Sequence, residues 1–320
     1  MRTLGLRVLA LVLLLASGLA EAQQWPTRPI KLVVPFPAGG GTDLVGRSIA
    51  KALTDATGQA VVVDNRAGAG GTIGSDVVAK AAPDGYTLGI ATSSTHPTSV
   101  VLMKGVPYDP VKSFAPVTMI GKTAYVLIAA PSLLASNMNE FVAYAKANPG
   151  KLNFASVGAS TLGYLVTQQM MIDAGIDLVH VPYKGSSQAY PALMNGEVAV
   201  LFDNPAASAA LVKSGRLKVL GATLKTSLMP NAPVFADIGL KNLDTAFWYG
   251  LVAPAGTPKE IVERIQSLVA AYVRSPEGAA TLAQSGVEPV GDTPEQFGAT
   301  IANDMARAQR LADKLGIKPE

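Results

Sequence analysis

Short runs rich in Val, Ile and Leu alternate along the chain with longer segments whose apolar residues recur at helical spacing, as strands interleaved with amphipathic helices do. Strands are expected at 30–35, 60–63, 87–91, 117–120, 125–130, 152–155, 178–181, 198–202, 218–222 and 248–253. Helices are expected between them at 43–57, 72–81, 138–147, 162–174, 187–195 and 206–214. After Pro258 the pattern changes, with a helix marked by Ile261, Ile265 and Val269 and two more at 276–285 and 294–315, no strand being expected among them. This alternation predicts an α/β protein in which helices flank mixed, mostly parallel sheets. The order strand, small-residue loop, helix, strand, helix, strand occurs from Ile30 and again from Leu152, so two similar lobes are expected.

The loop that ends the first strand has the most distinctive chemistry. Val33 and Val34 lead through Pro35, Phe36, Pro37 and Ala38 into Gly39, Gly40 and Gly41, then Thr42 and Asp43, where a helix begins whose apolar residues are Leu44, Ile49 and Leu53. Glycines leave backbone N–H groups bare at a helix N-terminus, where unpaired donors and the positive end of the helix dipole favour a carboxylate or phosphate. The loop also reads as a plain Gly-rich strand-to-helix turn. Its counterpart in the second repeat is Ser156, Val157, Gly158, Ala159, Ser160 and Thr161. In open α/β sheets such loops gather at the carboxyl ends of the strands, so two facing lobes would place both around one cleft.

The N-terminus carries an address. Arg2 and Arg7 precede the apolar run from Val8 to Ala16, and Ala20, Glu21 and Ala22 supply a cleavage site, so residues 1–22 are expected to be a secretory signal, with Gln23 as the mature N-terminus. The run is short for a membrane span, which needs about 20 apolar residues. With no cysteine in the chain, disulfides, a lipid anchor, thiolate metal sites and cysteine nucleophiles are excluded. Its 26 basic and 23 acidic residues, 24 and 22 without the signal, include no basic run, which speaks against a nucleic-acid partner.

Other chemistries find little material. Gly121, Lys122 and Thr123 resemble the end of a P-loop, but the required first glycine falls at Pro116. The glycines from Gly68 to Gly74 miss the dinucleotide spacing by one residue. No G-x-S-x-G elbow occurs, and a serine hydrolase would have to recruit His96 or His180, both badly placed for it. With two separated histidines and scattered Asp43, Asp64, Asp76, Asp109 and Asp203, no metal site and no cofactor are expected.

Several strings together resemble one family. Trp25 to Ile30 with Val34 to Asp43 is similar to the mature start of the Bug or TctC-like binding proteins of tripartite tricarboxylate transporters. Further matches follow in family order at 64–71, 83–88, 147–152, 181–185 and 253–258. The resemblance implies a two-lobed periplasmic binding protein fold of type II, with strands crossing at the hinge: one lobe from 23–121 and 246–320, the other from 122–245. It implies a protein that binds rather than transforms, presenting a small organic anion to membrane permease subunits and expected to be a soluble periplasmic monomer. A sensor that reports to a membrane receptor, or an exported hydrolase or isomerase on the same scaffold, are the alternatives. Two departures stand out: Ala67 where the family often has Pro, and Ser160, Thr161, Gly163 and Tyr164 where members often show Gly before Ser or Thr and a following His.

The expected site follows from the loops and the resemblance together. Amides of Ala38, Gly39, Gly40 and Gly41 with Thr42, and amides of Gly158 to Thr161, would hold a carboxylate, helped by hydroxyls of Ser156, Ser160 and Thr161. A third loop implied by the resemblance adds hydroxyls of Thr92, Ser93 and Thr95, while helix capping or solvent suits His96 better than ligand contact. Phe36 and Tyr183 would supply apolar walls. Asp203 could accept a ligand ammonium or could cap the helix entered through Pro205; Asp43 most simply stabilises the first helix; Tyr164 could face the cleft or pack; His180 is expected to be buried and structural.

Overall fold

The computed structural model describes residues 25–319; the expected signal segment and its cleavage site lie outside the described residues. β1 (Ile30–Val34) is buried at four of its five positions. It leads into α1 (Gly41–Thr57), whose buried stripe is Val45, Ile49 and Leu53. Leu44, assigned to that stripe by spacing, is 40% exposed, so the buried face is turned one residue further along. Gly58, at φ 72°, ends the helix in the left-handed conformation that glycine adopts without steric cost.

Two sheets form. In the first, β1 pairs in parallel with β2 (Val61–Asn65) and β3 (Thr87–Thr92), and β10 (Ala246–Pro254) pairs antiparallel with β3 and with β4 (Phe114–Ala124). β11 (Glu288–Pro289) adds a two-residue antiparallel edge beside Gly121 and Lys122, a strand that the C-terminal helical pattern hid. In the second sheet, β6 (Asn153–Ser156) pairs in parallel with β7 (Val179–Pro182) and β8 (Val200–Asp203), while β5 (Val126–Ala129) pairs antiparallel with β8 and β9 (Lys218–Ala222). The sheets are thus mixed as expected but not mostly parallel: five of the nine strand pairings among the described residues are antiparallel, because β10 returns between β3 and β4 in the first sheet and β5 runs against both β8 and β9 in the second.

The same two strands carry the chain between lobes. Tyr125 alone separates β4 from β5, and its amide donates to Thr223 Oγ1 at 2.9 Å while its carbonyl accepts from Thr223 N–H at 2.8 Å. Helices clothe both sheets: α2 (Thr72–Ala79) and the short α3 (Ser99–Leu102) on the first, and α4 (Met138–Ala147), α5 (Leu162–Ala174), α6 (Ser186–Asn195) and α7 (Pro205–Lys213) on the second. α8 (Lys259–Arg274), α9 (Pro276–Ala283) and α10 (Pro294–Leu315) return to the first lobe. Thr293 and Gln296 close a reciprocal capping box on α10, and Trp248 on β10 donates its indole N–H to Asp304 of that helix at 2.7 Å. Among the described residues no helix is long and apolar enough to cross a membrane.

Candidate ligand-binding cleft

The first loop is held open from below. Asp43 Oδ2 accepts from the Gly39 amide at 3.0 Å and from Arg47 Nε at 2.8 Å, and Oδ1 accepts from Asn65 Nδ2 at 3.0 Å. Burial works against the Asp43 charge, but these donors outweigh it and hold the carboxyl below its ordinary range. Asp43 therefore ties the loop to the head of α1 and to β2, and the Gly39 amide is committed to it. The amides of Gly40, Gly41 and Thr42 have no acceptor among the described residues, and they stand at the positive end of a 17-residue helix.

The second loop is braced by its own hydroxyls. Ser156 Oγ accepts from the Gly158 amide at 3.1 Å and lies 2.6 Å from His180 Nε2. Thr161 is the N-cap of α5: its Oγ1 accepts from Tyr164 N–H at 3.5 Å and donates to Gly158 O at 2.7 Å. The next amide, Leu162 N–H, donates across the cleft to Ser94 Oγ at 3.1 Å, joining the second lobe to the first.

The lobes meet through glycines. A Cβ on Gly41 would lie 2.0 Å from Asn204 Oδ1, and one on Gly185 would lie 2.4 Å from Pro37 Cδ of the opposite lobe. The space left between them is only about 30 Å³, bounded among others by Phe36, Thr42, Ser94, Tyr125 and Phe247. Asp203 closes its far side. Its Oδ1 accepts from Ser186 Oγ at 2.7 Å and from the Asn204 amide at 2.9 Å, and Oδ2 accepts from Tyr190 OH at 2.5 Å. Burial pushes the Asp203 carboxyl up to about 6 against the pull of those donors. Burial likewise raises Tyr125, opposed by the Ser94 hydroxyl and the Gly163 amide. Asn204 Oδ1 is buried with no partner among the described residues. Among the described residues no lysine or arginine lines this space and Asp203 is its one carboxylate, so what it offers an anion is dipoles.

Residues 45–317 match the family described as "Tripartite tricarboxylate transporter family receptor". The chain belongs to this TctC family. It is 34% identical to protein BugT of Bordetella pertussis, over 98% of each chain. Among solved structures it is similar to one described as "R. palustris Rpa4515 with adipate", with 34% identity, 93% and 100% of the two chains covered and a TM-score of 0.90. It is also similar to "MatC (Rpa3494) from Rhodopseudomonas palustris with bound malate", with 28% identity, 90% and 99% covered and a TM-score of 0.85. The two-lobed periplasmic binding protein architecture of the TctC family is thus that of this chain.

Within that TctC architecture the expected site residues divide. Phe36, Gly40, Gly41, Thr42 and Asp203 come together around the inner space. Gly158, Ser160 and Tyr183 instead line a wider opening of about 440 Å³ with Gly70 and Lys184. Ala38 and Gly39 are exposed on the outer side of the loop. Ser156 and Thr161 brace the second loop from within, so their hydroxyls are already bonded. Thr92 and Thr95 hydrogen-bond each other in the core, with the Thr92 amide 3.0 Å from Thr95 Oγ1, and Ser93 Oγ accepts from Trp248 N–H at 2.7 Å. The hydroxyl of this segment that reaches the cleft is that of Ser94, between the expected Ser93 and Thr95.

The histidines and Tyr164 also resolve. His96 neither caps a helix nor meets solvent: it is buried within the wound segment Ser94–Thr98, Nδ1 3.0 Å from Thr95 Oγ1 and the ring 4.5 Å from Phe114. Burial lowers its pKa to about 3, so it is neutral at physiological pH. His180 lies half-buried in β7, stacked on Phe154 at 4.9 Å; its contact with Ser156 shows that one histidine does reach a serine, but that serine is 2% exposed and holds the Gly158 turn. Tyr164 packs against the same His180 and Phe154 rings at 4.8 and 6.2 Å. Among the described residues no cluster of three or more His, Asp or Glu could hold a metal ion.

Proposed function

We propose that this TctC-family protein captures a small dicarboxylate between its lobes through neutral donors and presents it to membrane permease subunits. The observation that carries this reading is the set of unpaired amides at Gly40, Gly41 and Thr42, facing Ser94, Tyr125 and Asn204 across a space without a cationic side chain. Fixed dipoles at a helix N-terminus hold a carboxylate where little solvent competes. The similarity to chains described with adipate and with malate supports a linear dicarboxylate of about that length as the class.

A space of about 30 Å³ is that of a water molecule or so, so a dicarboxylate enters only if the lobes part. The hinge is proposed at the crossing of β4 into β5 and the entry to β10, which puts lobe boundaries near residues 122 and 245. Ligand bridging both lobes then favours closure, and only its higher affinity for the closed form drives the shift. We further propose export through the signal at 1–22, a monomeric mature form, and no catalytic turnover; nothing in the bonding of Ser156 leaves it free as a nucleophile.

A thermal-shift screen of the mature protein against small organic acids tests the reading. A ligand at about 100 times its dissociation constant should stabilise the fold by roughly 2.7 kcal/mol. Stabilisation by dicarboxylates supports it; stabilisation confined to sugars or amines, with none by any organic acid, contradicts it.

A further inference from the structure

A second cavity, of about 180 Å³, lies beside the crossing strands and shares no lining residue with the cleft. Three parts of the molecule wall it: Leu162 and Leu165 of α5 from the second lobe, Trp248 of β10, and Ala308 and Leu311 of α10. Cavities of about 150 Å³ with aliphatic walls hold benzene, so this one has room for a ring or a short chain carrying one polar group. Ser93, expected at the cleft, lines this cavity instead.

The polar rim decides which group that is. Lys122 lines the cavity and is exposed, and its ammonium forms no ion pair among the described residues, whereas Arg307 is bonded to Asp244 at 3.2 Å. Asp304, the acid on the rim, commits Oδ2 to the Trp248 indole at 2.7 Å, which fixes the indole as a wall. Lys122 feels Asp292 only at a distance, and apolar walls with such a cation at the mouth, outside any close ion pair among the described residues, suit a molecule that buries its body and leaves an anionic end at the rim.

We propose that this hinge-side cavity is a second ligand site, taking a small monocarboxylate with an apolar ring or short chain. Its occupant would touch both lobes at once, through Leu162 and Leu165 on one side and α10 on the other. It would also lie against Trp248, one of the two tryptophans in the chain.

Benzoate is the probe. In a Trp25→Phe background, where emission comes from Trp248 alone, titrating benzoate into the mature protein should give a saturable change. Ala308→Leu, which fills the cavity, should abolish that change. Lys122→Gln, at an exposed position that leaves packing intact, should weaken it by about fivefold, the upper range for a partly solvated ion pair. Absence of a saturable change overturns the proposal. So does a response that survives both substitutions, because benzoate would then be bound elsewhere, the cleft included. Should Ala308→Leu fail to fold, the Lys122→Gln titration decides alone, unchanged affinity counting against the site.

Discussion

Gly185→Ala separates closure from folding. Gly185 has φ 178° and ψ 166°, an extended conformation that alanine adopts without strain. Its ideal Cβ would lie 2.4 Å from Cδ and 2.6 Å from Cγ of Pro37 across the cleft, about 1 Å short of ordinary carbon–carbon contact near 3.5 Å. A flexible side chain could swing aside, but the proline ring is locked to its backbone. The rim must therefore part by roughly 1 Å or the loops must deform, and overpacking of this kind costs about 1–3 kcal/mol. Because the clash exists only while the lobes meet, the open form does not feel it. Affinity for the cleft ligand should fall about 5- to 150-fold, with the unliganded melting temperature little changed. Calorimetric titration beside X-ray scattering reads both: the wild type should contract on saturation, and Gly185→Ala should contract less. Equal affinity and equal contraction in the two proteins would show that the lobes do not meet at Pro37 in the complex.

Two other substitutions test the bonding within the lobes. Thr161→Val removes the N-cap of α5 and the bond to Gly158 O; it should cost about 1 kcal/mol of fold stability, seen as a lower urea midpoint, whereas an unchanged midpoint would leave the hydroxyl to the ligand alone. Asp203 should make stability fall with rising pH: folded, it keeps its proton to about pH 6, against 3.8 for the ordinary carboxyl, so the folded state binds more protons across that window and loses on the order of 2–3 kcal/mol through it. Urea unfolding at pH 4 and pH 7 should show that fall in the wild type and a flatter profile in Asp203→Asn; parallel profiles would exclude a raised Asp203.

Much of the frame was legible from pattern alone. The buried run at β1, its proline and glycine exit and the amphipathic α1 obey local rules, as do α4 and α5, whose bounds match the expected ones. The segment after β3 was not legible: Ser94 to Thr98 looks like a polar loop broken by Pro97, yet it winds into a π-type turn buried by Tyr108 and Phe114. Which of four adjacent hydroxyls reaches the cleft is set by that winding, so Ser94 could not be told from Ser93 or Thr95. The setting of Asp203 was hidden for another reason. Ser186 and Tyr190 reach it only because α6 is laid against the end of β8, a tertiary contact that residue spacing does not carry. Ser156 read as a ligand donor because its partner His180 lies 24 residues away on the neighbouring strand, a contact only the fold makes; Thr161 did so although its partner, the Gly158 carbonyl, is only three residues back, because the turn that brings the two together depends on the loop conformation.

The proposed function rests on neutral donors between the lobes holding a carboxylate. Calorimetric titration of a dicarboxylate selected by the thermal-shift screen, and of its diester, at low and at high salt tests this most directly. With no lysine or arginine lining the inner space, the free acid should bind with an affinity that changes little with salt, since the dipoles that hold it are shielded from the ions outside. The diester should bind far more weakly, because it forfeits charge-assisted hydrogen bonds and leaves the Gly40, Gly41 and Thr42 amides poorly paired. A steep loss of affinity with salt, or a diester that binds as tightly as the acid, would contradict the account and move recognition to a cation such as Lys184 at the outer opening.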